Sequence, residues 1–322
     1  MTSEMSDEAR RRLGVATLLG SALSNQLGAA VGSFAFPLIG PVGVVTARQF
    51  VAAAVLLPLV RPRVWRFSRH QWWPVLLLAV VFGTMNLALY SSIERVGLGL
   101  AVTLEFLGPL GVALFSSRSK GGIISGIAAA VGVVAITHPE PSTDYLGVGL
   151  GLLAACSWAA YILLNRTVGR RIPGVEGIAA SAGVSATLFL PVGIALFINY
   201  PPSGFAIGCA VGSGVLASAV PYAADLVALR RVPAHLFGLL MSVHPIFAGI
   251  VGAVLLGQAL AALEWLGIAL VVGANILALA LHVPRPAGGW RREAHAKTAY
   301  GVPEKTAPSA DPGCQFGVYS GR

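Results

Sequence analysis

One stretch of this sequence occurs twice. Residues 86–110 align without a gap on residues 222–246, at an offset of 136 positions, and Pro109 falls on Pro245. Offsets of 133 and 141 positions relate the segments before and after this stretch. Each half of the chain is therefore one copy of a unit of five apolar segments. Because five is an odd number, the two copies must cross a bilayer in opposite directions, which is the inverted-repeat plan of many secondary transporters.

Apolar residues are too abundant for a water-soluble globule of this size, since 56% of the chain is hydrophobic and 11% is charged. Ten apolar stretches of roughly 17–25 residues are each long enough to cross a bilayer. They lie near residues 14–35, 41–60, 73–93, 96–116, 122–138, 145–164, 177–198, 205–228, 234–257 and 262–282. No alternating strand pattern occurs. The predicted fold is therefore an all-α polytopic membrane protein with ten transmembrane helices, arranged as two inverted five-helix repeats.

The same segments predict four parts of the chain. Residues 1–13 form a cytoplasmic N-terminal segment, residues 14–138 the first five-helix repeat, and residues 145–282 the second. From residue 283 the sequence is rich in Pro, Gly and charge, which predicts a disordered cytoplasmic tail over residues 283–322.

Loop charges predict the orientation of the bundle, because Lys and Arg stay on the cytoplasmic side of short loops. The basic residues of the loops after segments two, four, six and eight are Arg61, Arg63, Arg66, Arg69, Arg118, Lys120, Arg166, Arg170, Arg171, Arg230 and Arg231. The opposite loops hold only Arg95. Both termini are therefore predicted to be cytoplasmic, in a multi-pass protein of the cytoplasmic membrane. The net charge of +9 records this topology and does not indicate a nucleic-acid partner.

Two charged residues are predicted to lie inside the membrane at similar depth. Arg48 is roughly 10 Å and Glu105 roughly 13 Å from the outer face, at 1.5 Å per residue. Such charges are costly in lipid and indicate function until a partner explains them. Three interpretations stay open. Glu105 takes and releases a proton as its pairing with Arg48 changes; the two form a permanent salt bridge; or Arg48 binds a substrate carboxylate and Glu105 an ammonium.

Further candidates surround the second copy of the repeated stretch. His244 precedes Pro245 near mid-membrane, where an imidazole suits a proton relay or a substrate hydrogen bond. The alternative is a neutral histidine bonded to a carbonyl that the proline frees. Asn86 and Tyr222 occupy equivalent positions in the two copies and are predicted to line a cavity. Pro109 and Pro245 bend their helices at equivalent places, which predicts either moving gates or fixed bends. Other polar residues that could line the cavity are Ser24, Asn25, Gln26, Thr103 and Trp158.

Several classes of protein are excluded by what the sequence lacks. It has no H-E-x-x-H, P-loop or G-x-S-x-G motif, and no dinucleotide fingerprint follows a strand. Three cysteines indicate neither a disulfide framework nor a metal site. We therefore expect no enzyme activity, no cofactor and no metal.

The chain resembles a known family in its motifs. The run Leu104-Glu105-Phe106, followed by Gly108-Pro109-Leu110 and the VALFSSR sequence of residues 112–118, is similar to the threonine/homoserine exporter branch of the EamA, or drug/metabolite transporter, family. Pro221-Tyr222 and Leu240-Met241-Ser242 look similar in the second copy.

This resemblance implies a ten-helix carrier that exports small neutral amino acids by proton antiport, driven by the proton gradient. It supports Arg48, Asn86, Glu105 and Tyr222 as site residues. It also implies an acidic residue where this chain has His244. We therefore expect an exporter of amino acids or related small metabolites that works by alternating access. The alternatives are a drug or other metabolite permease of the same fold, and a membrane assembly or sensor protein without transport. A homodimer is compatible with the sequence.

Overall fold

The computed structural model describes residues 7–116, 120–137, 144–172, 175–199, 201–221, 224 and 240–281. Within them the chain is helical and contains no strand. The helices are α1 (Asp7–Ser33), α2 (Phe36–Val60), α3 (Arg69–Val96), α4 (Leu98–Glu105), α5 (Leu107–Ser116), α6 (Lys120–Thr137), α7 (Tyr145–Arg171), α8 (Glu176–Asn199), α9 (Gly204–Gly214), α10 (His244–Leu255) and α11 (Ala262–Leu281), with a 3₁₀ turn at Val64–Arg66 and a π-helical turn at Val215–Ala219. Counting α4 and α5 as one interrupted span gives ten helical spans in the described residues, as predicted.

The surface of the bundle is apolar. Phe115, Ile198 and Val254 are more than 70% exposed, and many other Leu, Ile and Val side chains also point outward. By length and composition α2, α3, α7 and α8 can each cross a membrane, and α4–α5, α6, α9, α10 and α11 contain shorter apolar stretches. Because a soluble monomer rarely exposes so large an apolar area, this surface fits a membrane protein.

Small residues let the helices approach closely in the interior. A Cβ atom placed on Gly28 of α1 would lie 2.6 Å from the backbone nitrogen of Ala217, and one on Gly32 would lie 2.7 Å from Ser213 Oγ. Gly147 and Gly151 of α7 fit in the same way against α3 and α4. The main packing pairs are α3 with α7, α6 with α11, α2 with α8 and α9, α4 with α7 and α10, α1 with α9 and α10, and α3 with α8.

The fourth span is interrupted, although the sequence predicts one bent helix over residues 96–116. α4 ends at Glu105, Phe106 forms a turn, and α5 starts at Leu107. The cause is Pro109, which has no N–H to donate to the carbonyl of Glu105, four residues earlier. Pro245 acts similarly, because it lies in the first turn of α10, directly after a turn at residues 242–243. Residues 225–239, which include most of the predicted start of the ninth span, lie outside the described residues.

Proline also shapes the end of α9. At Val215–Ala219 the helix widens to a π turn, in which the N–H of Val220 bonds to the carbonyl of Val215. Pro221 follows and donates no hydrogen bond, so the carbonyl oxygens of Leu216 and Ala217 become available to side chains. Ser24 Oγ donates to Leu216 O at 2.7 Å, and Arg48 Nη2 donates to Ala217 O at 3.2 Å. Ala217 and Ser218 of this π turn line an internal cavity.

Candidate functional site

A polar cavity of about 220 Å³ lies among seven of the helical spans. Residues of α1, α2, α3, α4, α7, α10 and the π turn after α9 line it. Seven of the residues singled out from the sequence meet there, namely Arg48, Asn86, Glu105 and His244, together with Asn25, Gln26 and Trp158. The first four are each less than 10% exposed. The structure therefore brings together, from both halves of the chain, polar side chains that are far apart in sequence.

Arg48 is held in place but keeps donors available. Its guanidinium lies over the ring of Tyr90, 4.7 Å from the ring centroid, and bonds to Ala217 O. Nε is buried without a hydrogen-bond partner in the described residues. A guanidinium has five N–H donors in a planar fork, so unused donors remain for a carboxylate.

Glu105 borders the same cavity at the C-terminal end of α4. Although Arg48 is its neighbour across the cavity, the described residues contain no ion pair between them within 4.0 Å. Both charged side chains line one cavity, but the described residues form no direct Arg48–Glu105 salt bridge. The carboxyl group and the guanidinium thus both face a space that a small polar molecule could occupy.

His244 is the first residue of α10. Gln26 Nε2 lies 3.0 Å from His244 Nδ1, and the imidazole stacks on the ring of Phe106 with a centroid distance of 5.5 Å. His244 Nε2 is buried and has no partner in the described residues. The alternative of a neutral histidine bonded to a freed backbone carbonyl is wrong for Nδ1, because a side-chain amide occupies that position.

The remaining predicted residues have different positions. Asn86 lines the cavity, and its amide nitrogen also donates to Phe82 O at 2.8 Å. Tyr222 lies outside the described residues. Thr103 does not line the cavity, since its hydroxyl donates to Gly99 O. Pro109 and Pro245 lie just after the two helix breaks that flank the site.

Of the aromatic side chains that frame the cavity, the sequence predicts Trp158 but not Tyr90 or Phe106. Tyr90 supports Arg48 and its hydroxyl lies 3.1 Å from Ser213 Oγ. Phe106 stacks on His244 on one side and contacts Trp158 edge-on at 4.6 Å on the other. A single aromatic residue in an apolar segment gives no signal in the sequence, because most such residues only fill space.

The side chains of the site are suited to binding a small polar ligand. In the described part of the chain no group of three or more His, Cys, Asp or Glu residues could hold a metal ion. Buried groups of both signs instead face one small space without neutralising each other, which suits a ligand that carries both charges.

Comparisons with known proteins identify relatives that are transporters. The sequence profile of the EamA-like transporter family matches residues 145–280. The chain is 34% identical over 269 residues to the threonine/homoserine exporter RhtA of Escherichia coli, covering 82% of this chain and 90% of that protein, and equally similar to the RhtA of Salmonella typhimurium. The uncharacterized transporter YwfM of Bacillus subtilis is 24% identical over 229 residues, covering 68% of this chain and 77% of YwfM.

A protein of known crystal structure shares the fold. It superposes with a TM-score of 0.56 at 19% sequence identity, covering 85% of this chain and 97% of that one. The named relatives are transporters and not enzymes.

Proposed function

The chain belongs to the EamA-like transporter family, and from that premise we propose that it exports small neutral amino acids, of the threonine or homoserine type, in exchange for protons. One observation carries the proposal: Arg48 and Glu105 are buried, line one cavity and are not paired with each other. An amino acid supplies the missing partners, because its carboxylate matches the fork of Arg48 and its ammonium matches Glu105. Asn86, His244 and Tyr222 contribute further polar contacts in this proposal.

Competition for Glu105 explains the coupling. A buried carboxyl group must either bind a proton or have a positive partner nearby. A substrate ammonium and a proton are therefore alternatives at this residue, since each neutralises it. In the outward-facing conformation Glu105 releases the substrate and binds a proton, and in the inward-facing conformation it releases the proton and binds the substrate. Export of the substrate is thereby coupled to entry of protons. His244 is the second candidate for carrying the proton.

Two features support alternating access between inverted repeats over residues 14–138 and 145–282. Exchanging each helix for its counterpart in the other copy, with α5 and α10 equivalent through Pro109 and Pro245, maps the α3–α7 pair onto α1–α9, α2–α9 onto α3–α8, and α5–α7 onto α1–α10. The pairs α2–α8 and α6–α11 map onto themselves. In addition, the breaks before Pro109 and Pro245 border the cavity, where interrupted helices can act as gates.

The positive loops favour a location in the cytoplasmic membrane with both termini inside. The size of the cavity favours a metabolite over a drug, because pockets for drug-sized ligands have about 300–1,000 Å³, whereas this one has about 220 Å³. The homodimer stays a prediction.

Transport in liposomes tests the proposal. With an imposed pH gradient, labelled threonine and homoserine should move in the direction opposite to protons. Glu105→Gln should abolish the dependence on the gradient, since an amide neither titrates nor carries charge. Glu94→Gln is the matched control, because Glu94 is an exposed glutamate outside the cavity, and it should behave like the wild type.

Two results would contradict the proposal. Movement of cationic drugs without movement of amino acids would indicate a drug permease of the same fold. Gradient-driven transport that survives in Glu105→Gln would assign the coupling to another residue.

A further inference from the structure

One polar contact at the cavity is not explained by a substrate. Gln26 of α1 and His244 of α10 are 218 residues apart in sequence, and both are nearly inaccessible to solvent. Their contact joins the amide nitrogen Nε2 of Gln26 to the ring nitrogen Nδ1 of His244 at 3.0 Å.

The chemistry of the two groups fixes the position of the proton. An amide nitrogen donates hydrogen bonds and does not accept them, so Nδ1 of His244 must be the acceptor. A neutral imidazole whose Nδ1 accepts carries its hydrogen on Nε2. Protonation of Nδ1 would set two N–H donors against each other at 3.0 Å. The contact therefore favours a neutral ring with its hydrogen on Nε2.

The surroundings of the ring agree with a neutral donor. Phe106 covers one face of the imidazole, and Nε2 is buried beside the cavity with no partner in the described residues. A buried N–H without an acceptor is unfavourable, so a ligand oxygen that reached it would be preferred. Titratable or charged side chains that share the cavity are Arg48 from α2, Tyr90 from α3, Glu105 from α4 and Tyr161 from α7. On α11, Glu264 in the first turn is the only titratable side chain among the described residues. It lies near the C-terminal end of α10, whereas His244 is at the N-terminal end of that helix.

We infer that Gln26 is a positioning residue that holds His244 as a neutral hydrogen-bond donor to an acceptor oxygen of the substrate. His244 then recognises the substrate, and proton exchange is left to Glu105. The role of the donor rests on the proposed function, whereas the position of the proton on the ring does not.

Nuclear magnetic resonance of ¹⁵N-histidine in the purified full chain tests the position of the proton. The chain has six histidines, and the signal of His244 is the one lost in His244→Asn. In the wild type it should report the Nε2–H form without titration over about pH 5.5–7.5. Gln26→Met keeps the volume but removes the donor, so both neutral forms should appear and the ring should titrate.

Gln49→Met is the matched control for this experiment. Gln49 of α2 is also buried, does not line the cavity, and has no side-chain partner in the described residues. Its replacement should leave the signal of His244 unchanged. A wild-type signal of the Nδ1–H form or of the imidazolium would overturn the inference, as would a Gln26→Met spectrum identical to that of the wild type.

Transport of threonine into liposomes separates this role from a structural one. Gln26→Met should raise KM by roughly two- to tenfold, the equivalent of one hydrogen bond, with a smaller change in kcat. Gln26→Glu should accept from Nδ1–H and favour the imidazolium, so the pH profile should gain a second titrating group. Wild-type KM and pH profile in both variants would overturn the positioning role. A wild type that transports no amino acid would instead contradict the proposed function, while the resonance experiment would still decide the proton position.

Discussion

At the scale of single residues, the polar groups of the interior are placed by the shape of the backbone. Arg48 reaches the carbonyl oxygen of Ala217, which Pro221 leaves without its usual helical donor. The flat guanidinium also lies over Tyr90. A lysine could provide the charge, but neither the fork nor the flat face. The π turn before Pro221 therefore explains why a buried arginine is tolerated here, while its remaining donors still face the cavity.

Asp144 is the residue for which a pH effect follows from the structure. It lies before α7, where its Oδ1 accepts from the N–H of Gly147 at 2.8 Å and its Oδ2 from Arg95 at 3.0 Å. The bond from Gly147 is the main cause that lowers the pKa of Asp144, and the bond from Arg95 adds to it. A lowered pKa means that the carboxylate stabilises the fold above the ordinary pKa of about 3.9, and that this contribution is lost as the pH falls through the folded value.

Substitution at this position should separate the charge from the cap. Asp144→Asn should still cap α7 but lose the pH dependence, so its Tm should fall below that of the wild type near neutral pH and converge with it in acid. Asp144→Ala also loses the cap, so its Tm should be lower than that of Asp144→Asn by on the order of 2 °C at every pH. Thermal unfolding in detergent at several pH values measures both. A difference between wild type and Asp144→Asn that persists in acid would contradict this explanation.

The sequence predicts the site at this scale only in part. Arg48, Glu105 and His244 are recognisable because charged or titratable groups are costly in an apolar segment. The contact of Gln26 with His244 and the placement of Tyr90 under Arg48 are not recognisable. They depend on which faces of distant helices meet, and one sequence does not contain that information.

At the scale of helices, close packing around the π turn depends on Gly28. A methyl group there would lie 2.6 Å from the backbone nitrogen of Ala217, whereas one on Gly20 of the same helix would meet nothing within 4 Å. Gly28→Ala should therefore lower the free energy of unfolding by about 1–3 kcal/mol, because backbone cannot move aside as a side chain can. Gly20→Ala should be neutral or slightly stabilising, since alanine favours a helix.

Thermal unfolding of the two variants in the same detergent measures this difference. Because Arg48 bonds to Ala217, Gly28→Ala should also weaken binding of threonine. Equal effects of the two alanines on Tm would mean that α1 does not pack against the π turn as described.

The two prolines of the broken spans give a second prediction for helices. Pro109→Ala or Pro245→Ala restores an N–H that can bond to the carbonyl of Glu105 or Met241. A hydrogen bond of about 1 kcal/mol would favour the straight helix, which corresponds to roughly fivefold slower transport if the break must open and close. Tm should stay the same or rise. Pro58→Ala, in the exposed last turn of α2, should change neither the rate nor Tm by a comparable amount.

Transport rates in liposomes, set beside Tm, decide between a gate and a fixed bend. A loss of rate with retained stability agrees with a gate. Rates in all three alanine variants equal to the wild type would indicate bends that serve packing only.

Helix positions are better predicted by the sequence than helix interruptions. The apolar lengths place most ends of the described spans to within about five residues, because the thickness of the bilayer limits them. The exceptions are α1, which starts before the predicted residue 14, and α7, which extends beyond the predicted residue 164. The break at Phe106 and the π turn at Val215–Ala219 depend instead on which carbonyl a proline leaves open and which side chain then reaches it. A proline predicts that a helix is disturbed, but tertiary contacts decide whether it bends, widens or stops.

At the scale of the whole molecule, the proposed inverted repeat restricts the topology. Most of the large packing pairs keep their pattern when the two copies are exchanged, although α2–α3 has no counterpart of similar size between α8 and α9. This pattern supports a twofold relation between the copies. Such a relation can place the copies parallel or inverted with respect to the membrane. An odd number of spans in each copy requires the inverted arrangement, and the basic loops after α2 and α7 agree with it.

Equivalent loops of the two copies should therefore lie on opposite sides of the membrane. Trp65, between α2 and α3, corresponds at the offset of 136 to Pro201, between α8 and α9, and both are exposed. In a variant with Cys156, Cys209 and Cys314 replaced by serine, we expect a membrane-impermeant maleimide to label Pro201→Cys on intact cells. Trp65→Cys should react only after permeabilisation, because the proposed orientation places its loop in the cytoplasm. Labelling of both cysteines from the same side would mean that the copies are parallel. Two inverted copies that swap their conformations produce an inward-facing and an outward-facing state, whereas two parallel copies do not. Parallel copies would therefore contradict the proposal that Glu105 becomes accessible from each side of the membrane in turn.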